Sequence, residues 1–150
     1  MLRLSRKTLF AIEAVLDIAY HAGAQPVQSR EITRRQGIPR RYLEQALQNL
    51  VRGGVLVGVR GPRGGYRLAR ERRRITVGEI VRAVRYNTDS DPLLGDTGSP
   101  LGQKVVRPLW LQVQAEVLSR LDHITMDDLC NRADVEGIVS EGRENLDFSI

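Results

Sequence analysis

Apolar positions at helical spacing open the chain. Leu9, Ile12, Val15, Leu16 and Ala19 recur three to four residues apart, which predicts an amphipathic helix from about Ser5 to His21 with those side chains toward a core. Ser5 is placed to cap it, and Gly23 to Pro26 end it. A short helix over about 29–36, stopped by Gly37, and a third over about 40–52, closed by Gly53-Gly54, follow. Leu43, Ala46, Leu47 and Leu50 define the buried face of the third helix, and Arg41, Glu44, Gln45 and Gln48 fall opposite. Two short helices joined by a glycine-containing turn read as a helix-turn-helix. The period then changes to alternation: Val55 to Val59, a turn Gly61-Pro62-Arg63-Gly64-Gly65, and a return over Tyr66 to Ala69 predict a β-hairpin. Helix-turn-helix followed by a hairpin is the winged-helix arrangement.

Downstream, Thr76 and Glu79 read as a capping box opening a helix to about Arg85. Residues 86–100 are rich in Asn, Asp, Ser, Gly and Pro and read as loop. A long helix is predicted over about 101–123. Val105, Val106, Leu109, Val113, Val117 and Leu121 recur along it, with Trp110 beside them. A helix that long in so small a chain implies a partner chain to lie against, and these residues are the expected homodimer contacts. Thr125 with Asp128 opens a last short helix, and an acidic tail runs from 134 to Ile150. The fold class expected is mainly α with a small β-hairpin wing. The division is a winged helix-turn-helix over 1–85, a loop over 86–100, a dimerisation helix with a short helix over 101–133, and the C-terminal tail over 134–150.

Composition narrows the chemistry. The 150 residues are 41% hydrophobic and 27% charged, enough to bury one core without disulfides or metal. A single cysteine, Cys130, and two histidines, His21 and His123, exclude a disulfide framework and a zinc finger within one chain. Apolar stretches are broken by charge well short of a membrane span. Glu13 and Asp17 within the first apolar stretch argue against a secretory leader, so a cytoplasmic location is expected. The net charge of +5 is unevenly spread: residues 1–75 hold 16 Lys/Arg against 5 Asp/Glu, and residues 76–150 hold 7 against 13. A basic half beside an acidic half points to a polyanion-binding surface on one module.

In a winged helix the third helix enters the major groove and the wing follows an adjacent groove. Arg40, Arg41, Tyr42, Glu44, Gln45 and Gln48 occupy the exposed face of that helix. Arginine suits guanine, glutamine suits adenine, and glutamate accepts from cytosine. Arg60, Gly61, Arg63, Gly64 and Arg67 populate the wing, where arginine suits a narrow, electronegative minor groove. Arg6 and Lys7 at the start of the first helix, and Ser29 and Arg30 at the start of the second, are candidates for phosphate.

These residues resemble the IscR/NsrR/CymR family of bacterial winged-helix regulators, also called Rrf-two regulators. The resemblance is carried by Leu4-Ser5-Arg6-Lys7, Tyr42-Leu43-Glu44-Gln45, Val59-Arg60-Gly61-Pro62, Gly64-Gly65-Tyr66 with Leu68, Ile75 to Ile80, Leu109-Trp110 and Ile124-Thr125. It implies a homodimer crossed through the long helix and a pseudo-palindromic operator of double-stranded DNA. It further implies a base-reading role for Glu44 and a minor-groove role for Arg60. Cluster-binding members carry three cysteines in the loop before the long helix, and some add a histidine just before the Leu-Trp pair. This chain has no cysteine over 86–104, and Arg107 stands where that histidine would fall, so the usual iron–sulfur site cannot form. No cofactor is expected. Cluster-free members include regulators of cysteine metabolism that partner with cysteine synthase, an enzyme that holds partners by a C-terminal isoleucine. Ile150 therefore stands as a candidate partner-binding residue.

The leading expectation is a dimeric, sequence-specific, cluster-free repressor. Two alternatives stay open: a protein-interaction module working through the acidic half and the tail, and a regulator with an unusual cluster involving Cys130. An enzyme is not expected, because the chain offers no nucleophile–base pair, no metal-ligand cluster and no Walker spacing over Gly61 to Gly65.

Overall fold

The computed structural model describes residues 5–85 and 98–142. Helices α1 (Arg6–Tyr20), α2 (Ser29–Gln36) and α3 (Arg40–Arg52) lead into an antiparallel hairpin of β1 (Leu56–Val59) and β2 (Gly65–Leu68). A 3-10 turn over Arg72–Arg74 precedes α4 (Val77–Arg85). A π-helical stretch over Gly102–Val106 runs into α5 (Arg107–Leu121), and α6 (Met126–Val135) follows. Most of the predicted loop, residues 86–97, and Ile150 at the end of the predicted tail lie outside the described residues.

The predicted elements are present, and their caps explain their starts. Ser5 accepts the Thr8 amide at 3.3 Å at the head of α1. Thr125 and Asp128 form a reciprocal capping box on α6, at 2.9 and 3.1 Å. The box expected at Thr76 forms by half. Thr76 accepts the Glu79 amide at 3.2 Å, while the Glu79 carboxylate turns to the guanidinium of Arg70. The long helix expected over 101–123 is π-helical in its first turn and α-helical only from Arg107.

Helix α1 is the hub. It packs on α2, α3, α4, α6 and the wing. The buried face of α3 is Leu43, Ala46, Leu47 and Leu50, as its spacing predicts. On α1 the predicted phase is shifted. Leu9 is 43% exposed, and Ile12 and Leu16 are only half-buried. Val15 and Ala19 are buried as predicted, and Ala11, Ala14 and Ile18 join them in the core. A helix enclosed by several others needs small side chains at the points of closest approach, which Ala11 and Ala14 supply beside Val15 and Ile18. Ile32, Leu56, Ile75, Ile80, Met126 and Cys130 complete the same core. Cys130 is 2% exposed and packs as a small apolar side chain.

One charged group lies inside this packing. The Asp17 side chain has no exposure. Its two oxygens accept Arg35 Nε at 2.9 Å and Nη2 at 2.8 Å, and Gln36 Nε2 donates to it at 2.8 Å. Those donors come from the last turn of α2, so this pair fixes α2 against α1. The wing is fixed by backbone. Val27 and Tyr66 exchange amide–carbonyl bonds of 3.0 and 2.8 Å, which ties β2 to the residues just before α2. A Cβ on Gly65 would lie 2.4 Å from the Val27 carbonyl oxygen, so only glycine permits this approach. Among the described residues no helix is long and apolar enough to cross a membrane.

Two outcomes follow for stability. Gly65→Ala is expected to cost about 1–3 kcal/mol of overpacking, read as a lower denaturant midpoint at unchanged slope. Asp17→Ala leaves a guanidinium whose side chain is only 9% exposed with Glu141 as its remaining carboxylate, and is expected to cost at most about 3–5 kcal/mol in the same experiment. A loss below 1 kcal/mol for Asp17→Ala would show that α2 does not depend on the pair.

Candidate nucleic-acid interface

The turn at Gly37 to Pro39 sets α3 across the end of α2, with its apolar face down and its polar face outward. Arg40, Arg41, Tyr42, Glu44, Gln45 and Gln48 are all exposed on that outer face. Arg40 donates to Glu44 at 2.9 Å, an i,i+4 pair along the helix. The pair neutralises the glutamate while leaving it at the surface. Tyr42 leans toward α1: its ring centroid is 6.2 Å from that of Phe10, and the Lys7 ammonium stands 6.0 Å from the Tyr42 centroid. The first turn of α1, with Arg6 and Lys7 exposed, therefore lies beside the start of α3.

A cleft of about 570 Å³ separates α2 from the wing. Ser29 and Arg30 from the start of α2, Arg40 from α3, and Pro62, Gly64 and Tyr66 from the wing line it. Ser29 at the start of α2 and two arginines thus line one concavity, an arrangement suited to a phosphate backbone. Arg60, Gly61 and Arg63 are exposed at the wing tip. Arg67 sits at the root of the wing, where it donates to the Ala24 carbonyl at 2.9 Å. Gln28, Thr33, Pro62, Gly65 and Tyr66 also belong to the cleft; the sequence places Pro62, Gly65 and Tyr66 in the hairpin but marks none of the five as a DNA contact. The fold-back of the wing onto Val27 brings them in, and the only local signal for it is one buried valine between Pro26 and Gln28.

The dimerisation candidates lie away from this face. Val105 and Val106 fall in the π-helical stretch, and Leu109, Trp110, Val113, Val117 and Leu121 follow on α5. No residue of α5 is buried. Leu101, Val105, Val106 and Leu109 are each more than half exposed, a continuous apolar stripe of the kind that marks an interface.

The donor set does not match a three-thiolate iron–sulfur site. The chain's one cysteine is enclosed in the core on α6. Among the described residues no three His, Cys, Asp or Glu side chains gather as metal ligands. His123 lies beyond α5, with Nδ1 2.7 Å from the Ser119 carbonyl oxygen.

The Rrf2 family profile, described as "Iron-dependent Transcriptional regulator", matches residues 4–132. The chain is 35% identical to the HTH-type transcriptional regulator IscR of Serratia proteamaculans over 147 residues, covering 97% of this chain and 88% of that protein. The solved structure of T. potens IscR superposes with a TM-score of 0.69 at 34% identity, covering 96% of each chain. That of CymR, the global cysteine regulator of B. subtilis, superposes with a TM-score of 0.67 at 29% identity, covering 88% of this chain and 98% of that one. The winged helix, its cleft and these similarities agree: the chain belongs to the Rrf2 family and is a DNA-binding transcriptional regulator, not an enzyme.

Proposed function

We propose that the chain is a cytoplasmic, homodimeric repressor that occupies a pseudo-palindromic operator and works without the family's three-thiolate cluster. The observation that carries this reading is the placement of the start of α2, the outer face of α3 and the wing on one cleft. Residues 1–85 form the reading head. Arg41, Glu44, Gln45 and Gln48 take base edges in the major groove, with Arg40 moving between Glu44 and the backbone. Arg60, Gly61 and Arg63 enter the minor groove, and Gly64 gives the wing its turn. Arg6, Lys7, Ser29 and Arg30 hold phosphates and fix register, Tyr42 props α3 against α1, and Arg67 braces the wing.

The apolar stripe on Val105, Val106, Leu109, Trp110 and Val113, continuing to Val117 and Leu121, supports the dimer in this reading. A twofold axis through that stripe sets two reading heads on two half-sites, which makes the operator a pseudo-palindrome. The arrangement stands independently of any contact between Ile150 and a cysteine synthase.

Selection of duplexes from a random-sequence pool by the full chain tests the reading. A pseudo-palindromic consensus, bound with a logarithmic salt slope of about −0.9 per phosphate neutralised, is expected. Arg60→Ala is expected to weaken the selected duplex several-fold and to flatten the slope by about one. Arg73→Ala is the control, since Arg73 is paired with Glu71 at 2.6 Å outside the cleft. A pool that never enriches, or an Arg60→Ala variant equal to wild type, would remove sequence-specific binding or the wing, respectively.

A further inference from the structure

Beyond the winged helix, the chain crosses back over its own head. After α6 the backbone turns at Gly137, and residues 138–142 lie along the end of α1. The sequence places an acidic tail here. Over its described part the chain is laced down, with Ser140 and Gly142 buried. The Tyr20 hydroxyl donates to the Ile138 carbonyl, and Ser140 Oγ donates to the Tyr20 carbonyl at 2.7 Å. The Glu141 amide donates to His21 Nδ1 at 3.1 Å. A Cβ on Gly142 would lie 2.2 Å from the Ala22 carbonyl oxygen, so backbone meets backbone at that point.

The segment also grips α2. Glu141 Oε2 accepts Arg35 Nη1 at 2.7 Å and Arg34 Nη2 at 2.9 Å. Arg35 is the guanidinium whose other edge holds the buried Asp17. One arginine therefore joins three elements: α1 through Asp17, α2 through its own backbone, and the C-terminal segment through Glu141.

We propose that residues 138–142 are a strap that positions α2 within the reading head through Glu141, and that His21 is the pH-sensitive latch of the strap. Glu141 is a positioning residue: it lies outside the DNA cleft and acts through Arg34 and Arg35. His21 acts through its lone pair. Because Nδ1 accepts the Glu141 amide, the ring proton sits on Nε2, 4.0 Å from Asp17 Oδ2. Protonating Nδ1 sets two donors against each other and breaks the amide contact.

The charged groups facing His21 are Asp17 on α1, Arg34 and Arg35 on α2, and Glu141 on the strap. Burial, and then the Arg35 guanidinium, hold the imidazole below its ordinary value, against the opposing pull of Asp17 and Glu141. The strapped form therefore prefers the neutral ring. Its contribution is complete above the unstrapped histidine value of about 6.5 and is lost as the pH falls through the lowered one. Glu141 is itself held below the usual carboxylate range, first by Arg34, so it stays charged while His21 titrates. The acid response of the strap belongs to the histidine.

Amide hydrogen exchange of the full chain, corrected for intrinsic exchange rates, reads the strap without DNA, so its failure is separable from failure of the operator reading. At neutral pH, Glu141→Gln is expected to raise exchange in residues 29–36 and 138–142 about two- to fivefold, the range for a partly exposed ion pair. Gly142→Ala, which pries the strap from Ala22 and keeps Glu141, is expected to do the same. Wild type is expected to show that rise on acidification below about pH 6.5. His21→Asn, which keeps an acceptor near the Nδ1 position and does not titrate, is expected to stay protected. Affinity for the duplex selected as above is expected to follow the same pattern. Unchanged exchange over 29–36 in both Glu141→Gln and Gly142→Ala would overturn the strap. Equal acid response in wild type and His21→Asn would overturn the latch.

Discussion

A carboxylate stripped of water is costly unless charge and hydrogen bonds replace what it loses. Asp17 is such a group at the centre of the hub helix, and α2 supplies both the guanidinium and the carboxamide that satisfy it. The geometry of the reading head hangs on that exchange. Helix α2 carries little apolar surface of its own, with Ile32 its one buried residue, so packing alone would locate it loosely. A bidentate pair at one end, and the Val27–Tyr66 bridge just ahead of the other, locate it in both position and rotation. Since α2 forms one wall of the cleft and α3 follows it through a three-residue turn, the width of the cleft is set by a salt bridge and a pair of backbone bonds.

The internal pairing also redistributes the charge that the sequence displays. Arg70 meets Glu79, Arg72 meets Asp127, Arg73 meets Glu71, and Arg34 and Arg35 meet Glu141. Much of the basic excess of the first half is thus spent on tying elements together, several times against acids of the second half. Arg30, Arg41, Arg60 and Arg63 are exposed and enter no ion pair among the described residues, and all four lie on α2, α3 or the wing. Charge asymmetry along a sequence points to a polyanion surface, but only the fold shows which cations are held at that surface and which are structural.

Local physics was legible in the residues, and non-local physics was not. The face of α3, the stop at Gly37, the capping box at Thr125 and the hairpin each depend on neighbours within a few positions, and each stands where the spacing places it. Leu9 misled because the buried face of α1 centres on Ala11, Ala14, Val15 and Ile18, and helical spacing alone does not say which side of an apolar stripe the other helices cover. Asp17 read as evidence against a secretory leader, and its partner Arg35 read as one more basic residue. Nothing local joins two residues that meet only when α2 folds back on α1. The strap was unreadable for the same reason: Glu141 and His21 are 120 residues apart and are brought together by the path through α5 and α6. The DNA candidates needed only helix phase and hairpin position, whereas the cleft that relates them needed the tertiary closure at Val27.

The C-terminal region is tied directly to the reading head in this chain. The chain has a single cysteine, and it lies in the core on α6 rather than before α5. Helix α6 contributes Met126 and Cys130 to the core beneath α1, and the segment after it ends on the arginine that secures α2. A change in how the C-terminal segment packs is therefore felt at the wall of the cleft through covalent chain and one shared guanidinium. A path that short needs no relay of small displacements across the core. It needs only that Asp17 and Glu141 together satisfy the two edges of Arg35. The ion pair that stabilises the head is also the point at which the rest of the chain can act on it.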